Sequence, residues 1–236
     1  MRTAAVVPAA GRGERLGPGT PKALRELGGV PMLVHAVRTL ARARFVDAVV
    51  VAAPPGEVAA VAAMLADHEV PAEVTVVAGG ASRQESVALA VASLPPDITV
   101  VLVHDAARPL VPVELVDAVA TAVRDGAEAV VPALPVADTV KVVDRDLSVV
   151  VATPDRASLL AVQTPQGFRR AVLERAHAAA GSSAGGGATD DAGLVEAIGV
   201  KVAVVPGHEE AFKVTRPIDL LLAEAVLARR YADGVR

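Results

Sequence analysis

Short runs of valine and alanine alternate with amphipathic segments along the whole chain. The first run covers residues 3–7, and others lie at 48–52, 74–78, 99–103, 129–131 and 201–205. Such runs are typical of strands that are buried on both faces of a parallel sheet, and the segments between them have the length of crossover helices. The alternation therefore predicts an α/β fold with a mostly parallel sheet sandwiched by helices.

Helix signals are found between these runs. Residues 31–43, 56–66, 82–93, 112–124 and 217–232 are predicted helices, and two more follow Phe168 and begin at residues 189–191. Pro31 suits a first helical turn, where its missing N–H is not needed. Ser82, with Glu85 three residues later, predicts a capping box at the start of its helix. The Gly/Ser-rich residues 181–187 are expected to form a mobile loop.

The pattern changes between residues 135 and 156. Short β-rich pieces at 139–143 and 148–152 flank an Asp-Arg-Asp turn at 144–146. The pieces are too short and too polar for central strands, so a protruding hairpin is predicted. An isolated hairpin is marginally stable, and packing against another subunit would stabilise it. We expect one domain over residues 1–236 with an arm at about 135–156.

The amino-acid composition excludes several classes of protein. Hydrophobic residues make up 53% of the 236 positions but aromatic residues only 2%, so the core is aliphatic. A net charge of -4 gives no general reason to expect nucleic acid as a partner. The absence of cysteine excludes disulfides and suits a reducing cytosol. No apolar segment approaches the roughly 20 residues that span a bilayer, and a soluble, cytoplasmic protein is expected.

A glycine-containing loop at residues 8–16 follows the first predicted strand. Its glycines would expose backbone N–H groups to phosphate oxygens. A dinucleotide fingerprint fails because Leu16 replaces its third glycine, and the next strand ends without an acid. A P-loop fails because Lys22 lies between Pro21 and Ala23. The remaining interpretations are a longer phosphate-binding loop with the cations Arg15 and Lys22, or a turn that merely needs glycine.

Two further loops are expected at the same edge of the sheet. One is the glycine turn at 79–82, and the other is the segment 104–109, which holds Asp105 and Arg108 just past a predicted strand. Open α/β sheets bind ligands at the carboxyl ends of their strands. Taken alone, Asp105 could equally be a turn residue or a helix cap. The five histidines lack metal-ligand spacing; His104 is expected to pack at a strand end, and the others to lie at the surface or at edges.

Taken together, nine stretches resemble one family, the 2-C-methyl-D-erythritol 4-phosphate cytidylyltransferases of the non-mevalonate isoprenoid pathway. They occur in family order from end to end of the chain. Each stretch alone is weak evidence for a family, but the nine stretches together are specific for this one. They are Pro-Ala-Ala-Gly-x-Gly-x-Arg at 8–15, Pro-Lys at 21–22, Gly-Gly-x-x-Arg-x-x-Ser-Val at 79–87, Val-His-Asp-Ala-Ala-Arg-Pro at 103–109, Asp-Thr-x-Lys at 138–141, Asp-Arg at 155–156, Thr-Pro-Gln at 164–166, Thr-Asp-Asp at 189–191 and Lys-Val-Thr-Arg-Pro at 213–217.

The resemblance implies a Rossmann-like nucleotidyltransferase that joins CTP to a methylerythritol phosphate and releases pyrophosphate. The acceptor phosphate would attack the α-phosphorus of CTP in line, which requires positioning and charge neutralisation. The residues that the resemblance makes catalytic are Arg15, Lys22, Arg156 and Lys213.

The resemblance also implies binding residues, a metal and a partner. Asp105 is expected to contact a Mg²⁺ ion that bridges the triphosphate. In similar proteins the arm reaches into a neighbouring subunit, so a homodimer with arm exchange is expected. Nucleotide binding is expected at Pro8, Ala9, Ala10, Gly11, Gly13, Arg15, Lys22, Gly80, Arg83, Ser86, Asp105 and Ala106, and acceptor binding at Arg108, Thr139, Arg156, Thr164, Thr189 and Lys213.

Two departures and three alternative functions accompany the resemblance. Ala211 stands where the family commonly has asparagine, and Ala81 where related sequences often carry an acid. A ribitol 5-phosphate cytidylyltransferase would differ only in the acceptor pocket. A nicotinamide-dependent dehydrogenase would use the same type of sheet, although Leu16 and the missing ribose acid argue against it. A non-catalytic nucleotide-binding regulator would retain the pocket without turnover.

Overall fold

A computed structural model describes residues 1–11, 21–68, 70, 73–181 and 189–234. Its strands are β1 (Arg2–Pro8), β2 (Glu26–Leu27), β3 (Val30–Pro31), β4 (Ala48–Ala53), β5 (Val74–Ala78), β6 (Ile98–Val103), β7 (Ala129–Pro135), β8 (Val142–Val143), β9 (Val150–Ala152), β10 (Leu160–Val162), β11 (Gln166–Arg169) and β12 (Val202–Pro206). Its helices are α1 (Met32–Arg42), α2 (Val58–Asp67), α3 (Arg83–Ala92), α4 (Val113–Arg124), α5 (Arg170–Gly181), α6 (Asp191–Ala197) and α7 (Pro217–Ala232), with short 3-10 turns at Lys22–Leu24, Pro55–Glu57, Arg156–Ser158 and Glu209–Ala211.

The central sheet has the strand order β10-β7-β11-β6-β1-β4-β5, with β12 beside β7. β1 lies parallel to both β4 and β6, and β4 lies parallel to β5. β11 runs antiparallel between β6 and β7, and β10 is antiparallel to β7. The predicted α/β fold with a mostly parallel sheet is therefore confirmed. The predicted mobile loop at 181–187 lies, except for Gly181, outside the described residues.

Helices cover both faces of the sheet, which explains why its strands are continuously apolar. In β1, Ala5 and Val7 contribute to one core cluster, together with residues of α1, α2 and α4. Ala4 and Val6 contribute to a second cluster, which contains residues of α3, α5 and α6. Successive strand side chains point to opposite faces, so a strand that is covered on both sides must be apolar at every position.

The start of α3 is fixed by side-chain capping. Ser82 Oγ accepts a hydrogen bond from the backbone N–H of Glu85 at 3.0 Å, as the predicted capping box requires. The Glu85 carboxylate does not return to Ser82 but accepts from the N–H of Ala81 at 2.7 Å. The cap thus also orders the glycine turn that precedes the helix.

The predicted hairpin is present as the antiparallel pair of β8 and β9. Its strands are shorter than expected, and its turn is closed by Asp144, whose carboxylate accepts from the N–H groups of Ser148 and Val149. The valines of this arm are exposed: Val143 is 37% exposed and Val151 is 61% exposed. The hairpin therefore leaves apolar surface uncovered in the single chain.

A third, smaller core cluster holds α7 against the body through Leu27, Met32, Leu110, Val214, Ala223 and Leu227. The N–H of Val214 also donates to the carbonyl of Ala107 at 2.8 Å. These contacts fix the segment just before α7, which carries Lys213, beside the loop that follows β6. Within the described part of the chain, no helix is long and apolar enough to cross a membrane.

Candidate functional site

A cavity of about 230 Å³ lies where β1, β5 and β6 end. The three loops that follow these strands line it, as expected for a parallel sheet. The 3-10 turn at Lys22–Leu24 and the segment before α7 complete its wall. The described lining residues are Pro8, Ala9, Ala10, Gly11, Lys22, Ala23, Gly80, Ala81, Ser82, Arg83, Ser86, Asp105, Ala106, Ala107 and Lys213.

Close packing of the first two loops requires a glycine at position 79. A Cβ atom there would lie 2.8 Å from the Cβ of Ala10 and 3.2 Å from the carbonyl oxygen of Ala53. The N–H of Gly79 donates to that same carbonyl at 2.7 Å, so the loop continues the sheet for one more hydrogen bond. Ser86 Oγ accepts from the N–H of Gly80 at 3.1 Å and holds the turn against α3. The part of the cavity wall that these two loops form thus consists of small residues packed closely together.

Asp105 lies between two cations at the edge of the cavity. Its Oδ2 accepts from Lys213 Nζ at 2.6 Å, and its Oδ1 accepts from Arg83 Nε at 3.3 Å. Burial by itself would raise the pKa of Asp105, but the charges of Arg83 and Lys213 outweigh burial and hold that pKa well below its ordinary value. The carboxyl group is therefore ionised, and the trio carries a net positive charge.

The turn that presents Asp105 is held from behind by His104 and Thr164. Thr164 Oγ1 accepts from the N–H of Asp105 at 3.1 Å and lies 3.0 Å from His104 Nδ1. Burial lowers the pKa of His104 to about 4, so its ring is neutral at pH 7. The threonine proton then points to Nδ1, and His104 Nε2 donates to the carbonyl of Arg108 at 3.2 Å. His104 is packed at a strand end, as predicted.

Arg108 is buried behind the cavity rather than among its lining residues. Its guanidinium donates to the carbonyls of Ala211 at 2.6 Å and Val162 at 3.3 Å. Its Nε is buried without a hydrogen-bond partner in the described part of the chain. Burial lowers the pKa of this arginine. Two of its nitrogens thus hold backbone segments together, and its contact with an acceptor stays a prediction.

The sequence analysis did not identify Asp191 and His177, which lie behind Arg83. Arg83 Nη1 donates to Asp191 Oδ2 at 2.6 Å, and His177 Nε2 lies 2.9 Å from Asp191 Oδ1. His177 was expected at the surface or at an edge, and the structure shows its side chain only 8% exposed. The Thr-Asp-Asp motif was a usable signal, because Asp190 already serves as the cap of α6. The second aspartate therefore needed another explanation.

The structure brings most predicted nucleotide-binding residues together and leaves most acceptor-binding ones apart. Gly13 and Arg15 lie outside the described residues. Thr139 and Arg156 are exposed on and beside the arm, where Arg156 Nη1 donates to the carbonyl of Ala137 at 2.7 Å. Thr164 is buried, Thr189 is exposed, and neither lines the cavity. Lys213 is the one predicted acceptor-binding residue among the described residues that line the cavity.

A divalent ion would find one carboxylate in this cavity. Among the described residues there is no group of three or more His, Cys, Asp or Glu side chains that could enclose a metal. Asp105 is the single acid among the described lining residues, and it is ionised. One carboxylate suits Mg²⁺ that takes its other ligands from phosphate oxygens and water. The donor set therefore fits an ion that arrives with a phosphorylated ligand.

The fold and the cavity define a Rossmann-like nucleotide-binding protein, because small residues and cations meet at the carboxyl edge of a mostly parallel sheet. A family profile described as 2-C-methyl-D-erythritol 4-phosphate cytidylyltransferase matches residues 3–229. The chain belongs to this family, as the resemblance in its sequence predicts.

Individual relatives and solved structures agree with that membership. The chain is 63% identical to the 2-C-methyl-D-erythritol 4-phosphate cytidylyltransferase of Streptomyces avermitilis, over 97% of this chain and 93% of that protein. It is 62% identical to the enzyme of the same name from Streptomyces coelicolor, over 97% of this chain and 86% of that protein. Family membership does not favour a ribitol 5-phosphate enzyme.

Two crystal structures extend the likeness to the fold. The 4-diphosphocytidyl-2C-methyl-D-erythritol synthase of Anaerococcus prevotii superposes with a TM-score of 0.83 at 29% identity, over 97% of this chain and 99% of that one. The 2-C-methyl-D-erythritol 4-phosphate cytidylyltransferase of Thermus thermophilus superposes with a TM-score of 0.77 at 39% identity, over 97% of this chain and all of that one.

Proposed function

We propose that this enzyme transfers the cytidylyl group of CTP to 2-C-methyl-D-erythritol 4-phosphate and releases pyrophosphate. The observation that carries the proposal is the cavity that Lys22 lines, in which Arg83 and Lys213 contact the carboxylate of Asp105 beside two glycine-containing loops. A site of this kind can hold several phosphate groups close together. Membership of the family supplies the identity of both substrates. We infer that residues 1–236 act as one domain.

The reaction needs charge neutralisation more than a covalent intermediate. A phosphate oxygen of the acceptor donates a lone pair to the α-phosphorus, and the bond from that phosphorus to the bridging oxygen of pyrophosphate breaks in line. Both reactants are anions, so cations near the reacting phosphorus lower the barrier. Lys22 lines the cavity, and we assign this role to it together with Arg15. The cation that Lys213 contributes lies on the acceptor side.

The base and ribose of CTP are proposed to lie against the small residues of the wall. Ala9, Ala10 and Gly80 present backbone groups at the cavity surface, and Ser86 holds the turn that includes Gly80. Small side chains let the nucleotide approach the backbone closely, and membership of the family supplies cytosine as the base. Arg83 completes this part of the site at the first position of α3.

Mg²⁺ is the cofactor that we propose, with Asp105 as its protein contact. When bound, the ion would neutralise charge on the triphosphate. The protein's own contribution is to keep Asp105 ionised and in place, through Arg83, Lys213 and the bond from its backbone N–H to Thr164.

We further propose that the complete acceptor site is formed in a homodimer by arm exchange. Thr139 and Arg156 are exposed in the single chain, and neither lines the cavity that contains Lys213. The exposed valines of the arm provide apolar surface that a second copy could bury. Arm residues of one subunit would then meet the acceptor bound by the other. The cytoplasmic location expected from the sequence stays a prediction.

A pyrophosphate-release assay tests the reaction. Purified protein with CTP, Mg²⁺ and 2-C-methyl-D-erythritol 4-phosphate should release pyrophosphate well above a control without acceptor. A panel that includes ribitol 5-phosphate, compared by kcat/KM, identifies the preferred acceptor. A higher kcat/KM for ribitol 5-phosphate would contradict the proposed acceptor and indicate a ribitol 5-phosphate cytidylyltransferase. CTP binding without turnover on any acceptor would instead indicate a nucleotide-binding regulator.

A further inference from the structure

A chain of four charged or polar side chains leads from the cavity into the protein. It begins at Asp105, passes through Arg83 and Asp191, and ends at His177. These residues come from the loop after β6, from the first positions of α3 and α6, and from the middle of α5. The contacts therefore join three helices to the edge of the nucleotide cavity.

Arg83 divides its guanidinium between two carboxylates. Its Nε donates to Asp105 at 3.3 Å, and its Nη1 donates to Asp191 at 2.6 Å. A guanidinium can also form a bidentate pair, in which two of its nitrogens meet the two oxygens of one free carboxylate. Here neither carboxylate is free, because its second oxygen is already occupied.

The second oxygens are occupied by different partners. Lys213 Nζ binds Oδ2 of Asp105 at 2.6 Å, and His177 Nε2 donates to Oδ1 of Asp191 at 2.9 Å. The Asp191 side chain is 1% exposed, so water does not compete for these oxygens. Burial alone would raise the pKa of Asp191, but His177 and Arg83 hold it below its ordinary value. The carboxylate is thus ionised and saturated.

The polar contact that His177 makes within this series of side chains is the one with Asp191. The His177 side chain is 8% exposed, and its Nδ1 is buried without a hydrogen-bond partner in the described part of the structure. A buried ring that leaves one nitrogen unsatisfied costs free energy, and an apolar side chain at this site would avoid that cost. The donor at Nε2 is therefore the feature of the ring that needs a function.

We propose that His177 is a positioning residue for the nucleotide site. By binding Oδ1 of Asp191 it holds that carboxylate in the orientation in which Oδ2 accepts from Nη1 of Arg83, and the anchored guanidinium keeps its Nε directed at Asp105. The inference rests on the proposed function, since CTP is the ligand that Arg83 would meet. Without the donor on residue 177, the Asp191 carboxylate loses its fixed orientation, and the guanidinium that it anchors is no longer held with Nε on Asp105.

Two variants of similar size separate the donor from the packing. His177→Leu fills the space without a donor, and His177→Gln retains an N–H at a comparable distance. We expect the leucine variant to raise the KM and the Kd for CTP about tenfold, the size of one hydrogen bond to a charged group, with the KM for the acceptor unchanged. The glutamine variant should remain within about threefold of the wild type. His68→Leu is the control, because it makes the same substitution at a histidine that is not among the four side chains.

A second readout does not depend on turnover. The Nε–H resonance of Arg83 in a ¹⁵N NMR spectrum reports its hydrogen bond to Asp105. This resonance is assigned as the one that is missing from the spectrum of Arg83→Lys. In the leucine variant its exchange with solvent should become about tenfold faster, and in the glutamine variant it should stay near the wild-type rate. His177→Met provides another donor-free variant if the leucine variant does not fold.

The outcomes distinguish this inference from the proposed reaction. Equal CTP affinity and equal Arg83 exchange in wild type and a folded donor-free variant would overturn the role of His177. Equal losses in the leucine and glutamine variants would also overturn it, since packing would then be the cause. If wild-type protein shows no turnover on any acceptor, the proposed function fails, while CTP affinity and Arg83 exchange still decide the role of His177.

Discussion

Lys213 Nζ lies 2.6 Å from Asp105 Oδ2, although the two residues are 108 positions apart in the chain. The contact joins a residue expected to bind the nucleotide and its metal to one expected to bind the acceptor. It is supported by the adjacent backbone bond from Val214 to Ala107 and by the core cluster beneath α7. The two halves of the proposed site therefore meet at one ion pair, where the reacting phosphates would lie.

The first prediction concerns Lys22, which lines the cavity. Lys22→Met removes a cation but keeps an unbranched side chain of nearly the same length. We expect kcat to fall about 100- to 1,000-fold, equivalent to roughly 3 to 4 kcal/mol of transition-state stabilisation, by analogy with the loss of one preorganised donor. Steady-state pyrophosphate release measures kcat, and circular dichroism verifies the fold.

Lys201→Met is the matched control for this prediction. Lys201 is exposed just before β12 and is absent from the cavity lining. Its variant should retain wild-type kcat. Near-normal turnover by the Lys22 variant would remove that lysine from the mechanism.

The strands of the parallel core were predictable because burial on both faces leaves little choice of side chain. β1, β4, β5 and β6 were each found to within a residue or two. β11 was missed, since Gln-Gly-Phe-Arg at 166–169 has no aliphatic run and is a strand because it fits between β6 and β7. Its pairing partners are distant in the chain, and no local pattern marks them.

The site shows the same division between local and long-range information. Residues in loops after strands, such as Asp105 and Gly80, could be placed at one edge of the sheet from topology alone. The pairing of Asp191 with His177 could not, because it joins side chains of two helices that are 14 positions apart in the chain. Only the packing of α5 against α6 determines it.

The second prediction tests the proposed arm exchange. Arg156→Ala should mainly weaken use of the acceptor, because Arg156 is proposed to reach the acceptor held by a partner subunit. We expect a KM for 2-C-methyl-D-erythritol 4-phosphate at least about tenfold higher, the size of one lost charge-assisted contact, and an unchanged Kd for CTP. Arg145→Ala, in the turn of the same arm, is the control and should bind the acceptor normally.

Mixing variants provides a sharper form of this test. Arg156→Ala and Lys22→Met subunits, unfolded together and refolded, should form some dimers with one intact site. Activity should then exceed that of either variant refolded alone. Absence of rescue, in samples where mass spectrometry shows mixed dimers, would count against a shared site.

The third prediction concerns Gly79. In Gly79→Ala the new methyl group would be only 2.8 Å from the Cβ of Ala10 and 2.9 Å from Ser86 Oγ. Both neighbours line the cavity, and the carbonyl of Ala53 prevents retreat, so we expect a loss of about 1 to 3 kcal/mol in stability and weaker CTP binding. Urea denaturation and calorimetric titration with CTP measure the two effects.

Gly56→Ala is the control for the loop substitution. A Cβ atom at Gly56 meets nothing within 4 Å. Its variant should remain within about 0.5 kcal/mol of the wild-type stability and bind CTP normally. Equal behaviour of the two glycine variants would show that the loops can separate without loss, contrary to the packing described for the cavity wall.

The fourth prediction is a pH dependence at the start of α7. Asp219 Oδ2 accepts from the N–H groups of Thr215 and Arg216 and from the hydroxyl of Thr215, each at 2.8 Å. Slight burial would raise the pKa of Asp219, but these bonds hold it below its ordinary value. Because the folded-state pKa is the lower one, the stabilisation is present above the unfolded-state value of about 3.9 and is lost as the pH falls through the folded-state value.

Asp219→Asn should therefore cost about 1 kcal/mol at pH 7, the usual contribution of a helix cap, and progressively less below about pH 4. Urea denaturation of both proteins between pH 7 and pH 3.5 measures the difference in free energy of unfolding. Asp67→Asn, at the last position of α2, is the control: it removes an exposed carboxylate from a helix C-terminus and should cost nothing at either pH. A difference for Asp219 that stays constant across this range would show that the side chain acts by shape alone and that its charge does not anchor the segment behind Lys213.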